Sequence, residues 1–237
     1  MNPVQLRQHL ESLAAAGVLD LPRGPSVAAV SQSPQPAPPR VQTPPRVQTA
    51  DLLAGLDVLR SEVAACQQCA ELASSRKQTV FGAGSPTAKI CFLGEAPGAD
   101  EDAQGEPFVG KAGQLLTKII EACRLTRDEV YILNVLKCRP PGNRRPLPDE
   151  VTNCRGFFER QLSLLSPDVI CCLGATAAQA LLGATEPIGK LRGQWFRYRE
   201  AAVICTYHPS YLLRNPAAKR DVWDDMKLMM RHFDVQL

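Results

Sequence analysis

Two groups of side chains in this sequence have the types and spacing to do chemistry. The first is a set of four cysteines. Cys66 and Cys69 form a Cys-x-x-Cys pair, Cys138 opens a proline-broken loop, and Cys154 lies on the apolar stripe of a helical pattern. Thiolates bind metals, and four from three separate segments can enclose one metal centre. A zinc ribbon would show a second Cys-x-x-Cys pair, and four cysteines suit an iron–sulfur cluster equally. The spacing therefore leaves the metal open, and an incidental pair plus two core cysteines is the plainer alternative. The second group is Glu95, Asn134 and His208: a carboxylate, an amide and an imidazole, each at the end of a short apolar run.

Those runs are the elements that must position the second group. Lys89–Leu93, Tyr131–Val135, Asp168–Leu173 and Ala201–Tyr207 are short and apolar enough to be buried strands. Helical patterns lie between most of them. Leu52, Leu56, Leu59, Val63 and Cys66 step by four and three along one face. Leu115, Leu116, Ile119, Ile120 and Cys123 mark a second helix, Val151, Cys154, Phe158, Leu162 and Leu165 a third, and Asp221–Phe233 a last one. Alternating strands and helices predict an α/β fold. We expect three α/β/α layers around a mostly parallel sheet of about four strands. Gln194–Tyr198 offers an additional strand. Ligands of such sheets bind beyond the carboxyl ends of the strands. Glu95, Asn134 and His208 therefore converge on one edge, although each alone could be a cap or a surface residue.

Composition narrows the class. The chain has 237 residues, 27 basic and 24 acidic side chains, and 45 % hydrophobic residues. That supports a real core, and no run approaches the roughly 18 apolar residues of a membrane span. The apolar run Leu13–Leu19 is short and lacks a basic leader, which makes it a poor signal peptide. We expect a cytoplasmic protein with no membrane contact, and its nine cysteines are then thiols or ligands rather than disulfides. Cys91, Cys171, Cys172, Cys205 and Cys123 fall within apolar runs and read as packing.

The first 50 residues differ in kind. They hold nine of the 20 prolines, and the unit Pro-Pro-Arg-Val-Gln-Thr occurs twice between Pro38 and Thr49. Proline lacks the amide donor and fixes φ. We expect residues 21–50 to be a disordered linker and residues 51–237 to be one domain. Leu6, Leu10 and Leu13 fall at helical spacing. Residues 1–20 thus suit a short helix for a protein partner, and equally a frayed tail.

Four stretches taken together are specific: Gly94-Glu95-Ala96-Pro97-Gly98; Gly105-Glu106-Pro107-Phe108-Val109-Gly110-Lys111-Ala112-Gly113; Asn134-Val135-Leu136-Lys137-Cys138-Arg139-Pro140-Pro141; and His208-Pro209-Ser210-Tyr211-Leu212-Leu213. They closely resemble the family 4 uracil-DNA glycosylases over residues 52–235. The carboxylate at Glu95 separates the chain from the family 5 type. The loop after Cys138 carries no histidine, unlike relatives that trap the sugar covalently. The resemblance implies excision of uracil from DNA, a [4Fe–4S] cluster on Cys66, Cys69, Cys138 and Cys154, uracil-containing DNA as partner, and a monomer.

The reaction would use these residues as follows. Asn134 can accept from uracil N3–H and donate to O4, whereas cytosine presents the reverse pattern and would leave buried groups unpaired, at about 1–3 kcal/mol. Phe108 resembles the family's stacking ring and His208 the residue that contacts uracil O2, where negative charge develops. Glu95 would orient water or stabilise the sugar cation, with Asn143 an alternative for the water. Glu101 would shape the space beside uracil C5. Lys137, Arg139, Arg144 and Arg145 form one basic group with no acidic residue among them, and Lys190, Arg192, Arg197 and Arg199 form another. Arg139, Arg144 and Arg145 are expected to meet phosphates, and Arg214 belongs with the wedge that follows His208. Tyr211, Leu212 and Leu213 are expected to wedge the gap left by a flipped base.

Two competing readings are weaker. A non-catalytic iron–sulfur or zinc DNA-binding module leaves Glu95, Asn134 and His208 without a task. A nucleotide-binding protein would need a Gly-x-Gly-x-x-Gly turn or a phosphate loop, and Gly110-Lys111-Ala112 lacks the magnesium-binding hydroxyl.

Overall fold

The structure, a computed structural model, describes residues 49–237. The expected helix at 1–20, and the 21–50 linker except its last two residues, lie outside the described residues. Thr49 and Ala50 already belong to the first helix.

Six strands form one sheet: β1 (Ala83–Gly84), β2 (Ile90–Gly94), β3 (Tyr131–Asn134), β4 (Val169–Leu173), β5 (Trp195–Tyr198) and β6 (Ala201–Thr206). Their order is β1-β3-β2-β4-β6-β5. The four expected strands make the parallel centre, β3-β2-β4-β6, and an antiparallel strand closes each edge. The expected count of about four is thus corrected to six. β5 is the additional strand that the sequence offered; β1, at two residues, is too short to show any period.

The helices are α1 (Thr49–Ala65), α2 (Ala70–Ser75), α3 (Ala99–Gln104), α4 (Lys111–Ala122), α5 (Pro148–Leu165), α6 (Ala175–Leu182), α7 (Ile188–Leu191), α8 (Pro209–Arg214) and α9 (Lys219–Arg231). The sheet's alternating side chains feed two cores. Cys91, Leu93, Leu133, Ile170, Cys172 and Val203 face Leu56 and Leu59 of α1 and Phe158 and Leu162 of α5. Phe92, Ile132, Cys171 and Ile204 face Leu116 and Ile120 of α4 and Met226 and Met229 of α9. Both sheet faces are covered, which is why β2 and β4 read as unbroken apolar runs rather than alternating ones. Phe158 is fully buried, and truncating such a ring to alanine costs about 3–5 kcal/mol.

One polar latch fixes the end of β6. Asp225 of α9, 1 % exposed, accepts from Thr206 Oγ1 at 2.6 Å and from Arg192 Nε at 3.1 Å. Burial pushes its carboxyl up, against the pull of Thr206 and Arg192. The latch holds the strand two residues before His208.

Candidate active site

A cavity of about 240 Å³ lies at the carboxyl ends of the central strands, lined by Glu95, Phe108, Asn134, Asn143 and His208 among others. A larger hollow of about 530 Å³ between α1 and α5, beside Cys66, contains no imidazole.

Asn134 ends β3 opposite Gly94 in β2. Its side chain is buried, its backbone carbonyl accepts from Lys137 Nζ at 2.8 Å, and its Oδ1 has no partner among the described residues. A buried acceptor left unpaired costs about 1–3 kcal/mol. Gly94 is required here: a Cβ would stand 2.3 Å from Asn134 Oδ1 and 2.6 Å from the Phe108 ring.

Phe108 packs its ring over His208, with centroids 5.5 Å apart. Its φ is 55°, in the left-handed region that bulky side chains avoid, at about 1–3 kcal/mol. Its neighbours hold it there. Glu101 Oε1 accepts from the amides of Val109 and Gly110, at 3.0 and 3.1 Å. Arg127 Nη2 and Nη1 donate to the carbonyls of Pro107 and Phe108, at 2.8 and 3.2 Å. Gly113 of α4 lies so close that a Cβ would meet the Phe108 carbonyl oxygen at 1.9 Å.

His208 caps α8. The Ser210 amide donates to its Nδ1 at 3.1 Å, and Ser210 Oγ lies 2.8 Å from the same nitrogen. With Nδ1 accepting, the ring's proton sits on Nε2. Burial, assisted by the nearby Arg214 charge, lowers the ring's pKa to about 4. The imidazole is therefore neutral at physiological pH, a question the sequence left open. Glu95 follows β2, and its carboxylate accepts from Thr176 Oγ1 at the start of α6.

Other expected residues are placed differently. Glu101 also accepts from the Gly98 amide at 3.0 Å, so although it borders the cavity its carboxylate is bonded to two loops. Asn143 is exposed at the rim, and its Oδ1 accepts from Arg139 Nε at 2.7 Å. Lys137 is buried rather than facing outward, with Nζ on the carbonyls of Asn134 and Phe81. Arg144 is bound to Glu150 at 2.6 Å and to Glu71 at 2.7 Å; the pairing holds the Glu150 carboxyl below the usual carboxylate range. Leu212 is 1 % exposed and belongs to the core, which removes it from the expected wedge, whereas Tyr211 and Leu213 are exposed at 38 % and 47 %. Arg145 and Arg214 are exposed. In the second basic group, Arg192 is spent on Asp225 and Asp221, and Arg197 on Glu200.

The cysteine corner draws on α1, α2, the loop after β3, and α5. Cys138 and Cys154 are each 7 % exposed. Arg76 donates to Cys138 Sγ at 3.0 Å and to the Cys66 carbonyl at 2.8 Å, and Asn153 Nδ2 to Cys69 Sγ at 3.5 Å. Burial pushes the Cys138 thiol up, opposed by Arg76 and reinforced by Cys66 and Cys69. Burial lifts Cys154 to about 11, opposed by the Lys137 amide and ammonium and reinforced by Cys138 and Cys69. The four sulfurs thus share one electrostatic neighbourhood. Among the described residues no three His, Cys, Asp or Glu side chains close on a single-ion site. Four cysteine sulfurs are a donor set that both a zinc ion and an iron–sulfur cluster accept.

The sequence alone gives no role to Arg127, Thr176, Ser210 or Arg76, and it places Lys137 among outward-facing basic residues. A hydroxyl three residues past a strand end (Thr176) and one two residues past His208 (Ser210) are the available signals. Nothing local marks Arg127 or Arg76, whose partners lie far away in sequence.

Fold and cavity together define an α/β protein whose strand ends enclose space for one small polar group. A family model described as the uracil DNA glycosylase superfamily matches residues 81–227. A type-4 uracil-DNA glycosylase of Archaeoglobus fulgidus is 40 % identical over 183 residues, 74 % of this chain and 92 % of the relative. Another from Thermotoga maritima is 42 % identical over 178 residues, 73 % of this chain and 91 % of the relative. A type-5 uracil-DNA glycosylase of Pyrobaculum aerophilum is 32 % identical over 147 residues, 54 % and 64 % of the two chains. The chain belongs to the uracil-DNA glycosylase superfamily, within its type-4 family.

Proposed function

We propose that this protein excises uracil from DNA by hydrolysing the N-glycosidic bond, leaving an abasic site for repair. The observation that carries the reading is the buried, unpartnered Oδ1 of Asn134, in a cavity walled by Phe108 and the neutral ring of His208. A flipped uracil supplies what that oxygen lacks: N3–H donates to Oδ1 while the amide nitrogen donates to O4. Extruding the base costs about a few kcal/mol. Phe108 stacks on it.

Cleavage leaves negative charge on uracil and positive charge on the sugar. His208 Nε2–H donates to O2, and this bond strengthens as the charge grows. A neutral donor suffices, as the depressed pKa requires. Glu95, held by Thr176, would hold water or face the sugar cation; Asn143 is the alternative for the water. Tyr211 and Leu213 are the exposed candidates to fill the vacated stack, and Arg139, Arg145 and Arg214 to meet phosphates. The protein would act as a monomer on uracil-containing DNA, with residues 51–237 as its catalytic domain.

Cys66, Cys69, Cys138 and Cys154 would hold a [4Fe–4S] cluster. When bound, the cluster supplies a rigid cross-link between α1, the loop after Asn134 and α5; hydrolysis moves no electrons.

The test is excision from a labelled oligonucleotide carrying one uracil, with thymine, cytosine and abasic controls and alkali to cut the product. Alkali-dependent cleavage at uracil alone is expected. Intact uracil strands after incubation with iron-loaded protein, alongside salt-sensitive DNA binding, would replace this reading with a non-catalytic binding module.

A further inference from the structure

Phe108 is a strained aromatic residue at a wall of the cavity, and strain persists only where the surroundings over-determine it. Its following amides are held by Glu101, a residue bordering the cavity. Its preceding and own carbonyls are held by Arg127, whose side chain lines no part of the cavity. Arg127 belongs to the 3-10 turn Arg127–Glu129 before β3. That turn is fixed by its own cap, in which Glu129 accepts from the Thr126 amide at 2.8 Å and hydroxyl at 2.9 Å. Arg127 Nη1 also reaches Thr117 Oγ1 of α4 at 3.4 Å. One planar guanidinium therefore ties Pro107, Phe108 and α4 to the base of β3, whose other end is Asn134. The ring that Arg127 sets is flanked by Gly94, where a Cβ would come within 2.6 Å of it, and by the His208 ring, 5.5 Å away between centroids.

We propose that Arg127 is a positioning residue for base recognition: its two-pronged grip on the Pro107 and Phe108 carbonyls holds the Phe108 ring parallel to the bound base, and so sets the affinity for uracil without touching it. The inference rests on the cavity being the uracil pocket. Lysine cannot replace the grip, since it offers a single ammonium where two carbonyls need a fork.

Three quantities test it in Arg127→Met, Arg127→Lys and the wild-type full-length protein. They are the single-turnover excision rate, inhibition by free uracil, and affinity for DNA carrying a tetrahydrofuran abasic analogue. Both variants should lose at least fivefold in rate and in inhibition by uracil. Affinity for the abasic analogue, which presents no base, should stay within twofold. In a Phe108→Ala background, Arg127→Met should change the rate by less than twofold, because the grip has lost its object. Unchanged inhibition by uracil, an equal loss of affinity for the abasic analogue, or a full multiplicative effect in the Phe108→Ala background would overturn the inference. Wild-type protein that excises no uracil would overturn the proposed function itself; normal wild-type excision with an indifferent Arg127→Met would overturn this inference alone.

Discussion

The cavity and the cysteine corner are joined by five residues, Asn134 to Cys138, yet they are settled by opposite means. In the cavity the chain's own groups fix Glu95, Phe108 and His208, and the open feature is one unpaired acceptor on Asn134. In the corner the open features are the sulfurs themselves: burial pushes Cys138 and Cys154 away from the thiolate form. A pocket can be finished before its ligand arrives, because neutral hydrogen-bonding groups tolerate burial when most are paired. A set of thiolates cannot, because it needs a cation to offset buried negative charge. Lys137 spans the two regions, with its ammonium on the Asn134 carbonyl and its amide directed to Cys154.

The sharpest break in that contrast is at the corner. Cys138→Ala or Cys154→Ala should strip the protein of most of its iron and its visible absorption, lower its melting temperature, and cut excision by more than about a hundredfold, since a metal-bound fold loses its binding free energy with a ligand. Colourless wild-type protein with unaltered activity in both variants would reduce the corner to ordinary packing.

Next in size is the unpaired acceptor. Asn134→Ala removes both contacts to the base at about 1–3 kcal/mol each, so a loss of tenfold or more in excision rate is expected, with iron content and melting temperature held near wild type. A variant that also loses its iron would mean the two regions fold as one unit rather than being separately settled. Glu95→Ala should lose at least tenfold in the same assay. Thr176→Val, which leaves Glu95 in place but unheld, should lose about three- to tenfold, less than the roughly 1.5–3 kcal/mol of a full charge-assisted hydrogen bond because water can donate in place of Thr176; wild-type turnover would free Glu95 of its need for Thr176.

The contrast also explains what the sequence made legible. Strand ends are visible, because an apolar run that stops at Asn134 or before His208 marks the sheet edge whatever the loops do. The four parallel strands and the three edge residues therefore emerged from pattern alone. Burial was harder to foresee for long or amphipathic side chains. Lys137 looked like a surface charge, and Leu212 looked like a wedge beside the exposed Leu213, whereas the turn of about 100° between successive helical residues carries Leu212 into the core and leaves Leu213 outside. Arg144 looked unpaired, since Glu150 and Glu71 are invisible to a count of its nearest residues. The supports of Phe108 were the least legible: Arg127 lies 19 residues away and acts on backbone carbonyls, which carry no side-chain signature. The helical and linker readings of the first 48 residues lie outside the described residues and remain expectations of the sequence.

The smallest expected effect concerns how firmly the pocket is finished in advance. His208 is held neutral, with a pKa lowered to about 4 from an ordinary 6.5. The unfolded chain takes up this proton first, so the stability linked to His208 is intact above pH 6.5 and declines as pH falls from there towards 4. Melting temperature should follow that slope, and His208→Gln should flatten part of it. Excision under single-turnover conditions should show no inflection near pH 6.5, because the Nε2–H donor is present on both sides of that value. Ser210→Ala removes the hydroxyl beside Nδ1 but keeps the Ser210 amide that donates to it. The tautomer therefore survives, and the rate should fall only about two- to threefold, the scale of one neutral hydrogen bond. A pH–rate profile that breaks near 6.5 in the wild-type protein would mean the ring titrates in the working range. The pocket, like the cysteine corner, would then depend on what binds it to settle its charge.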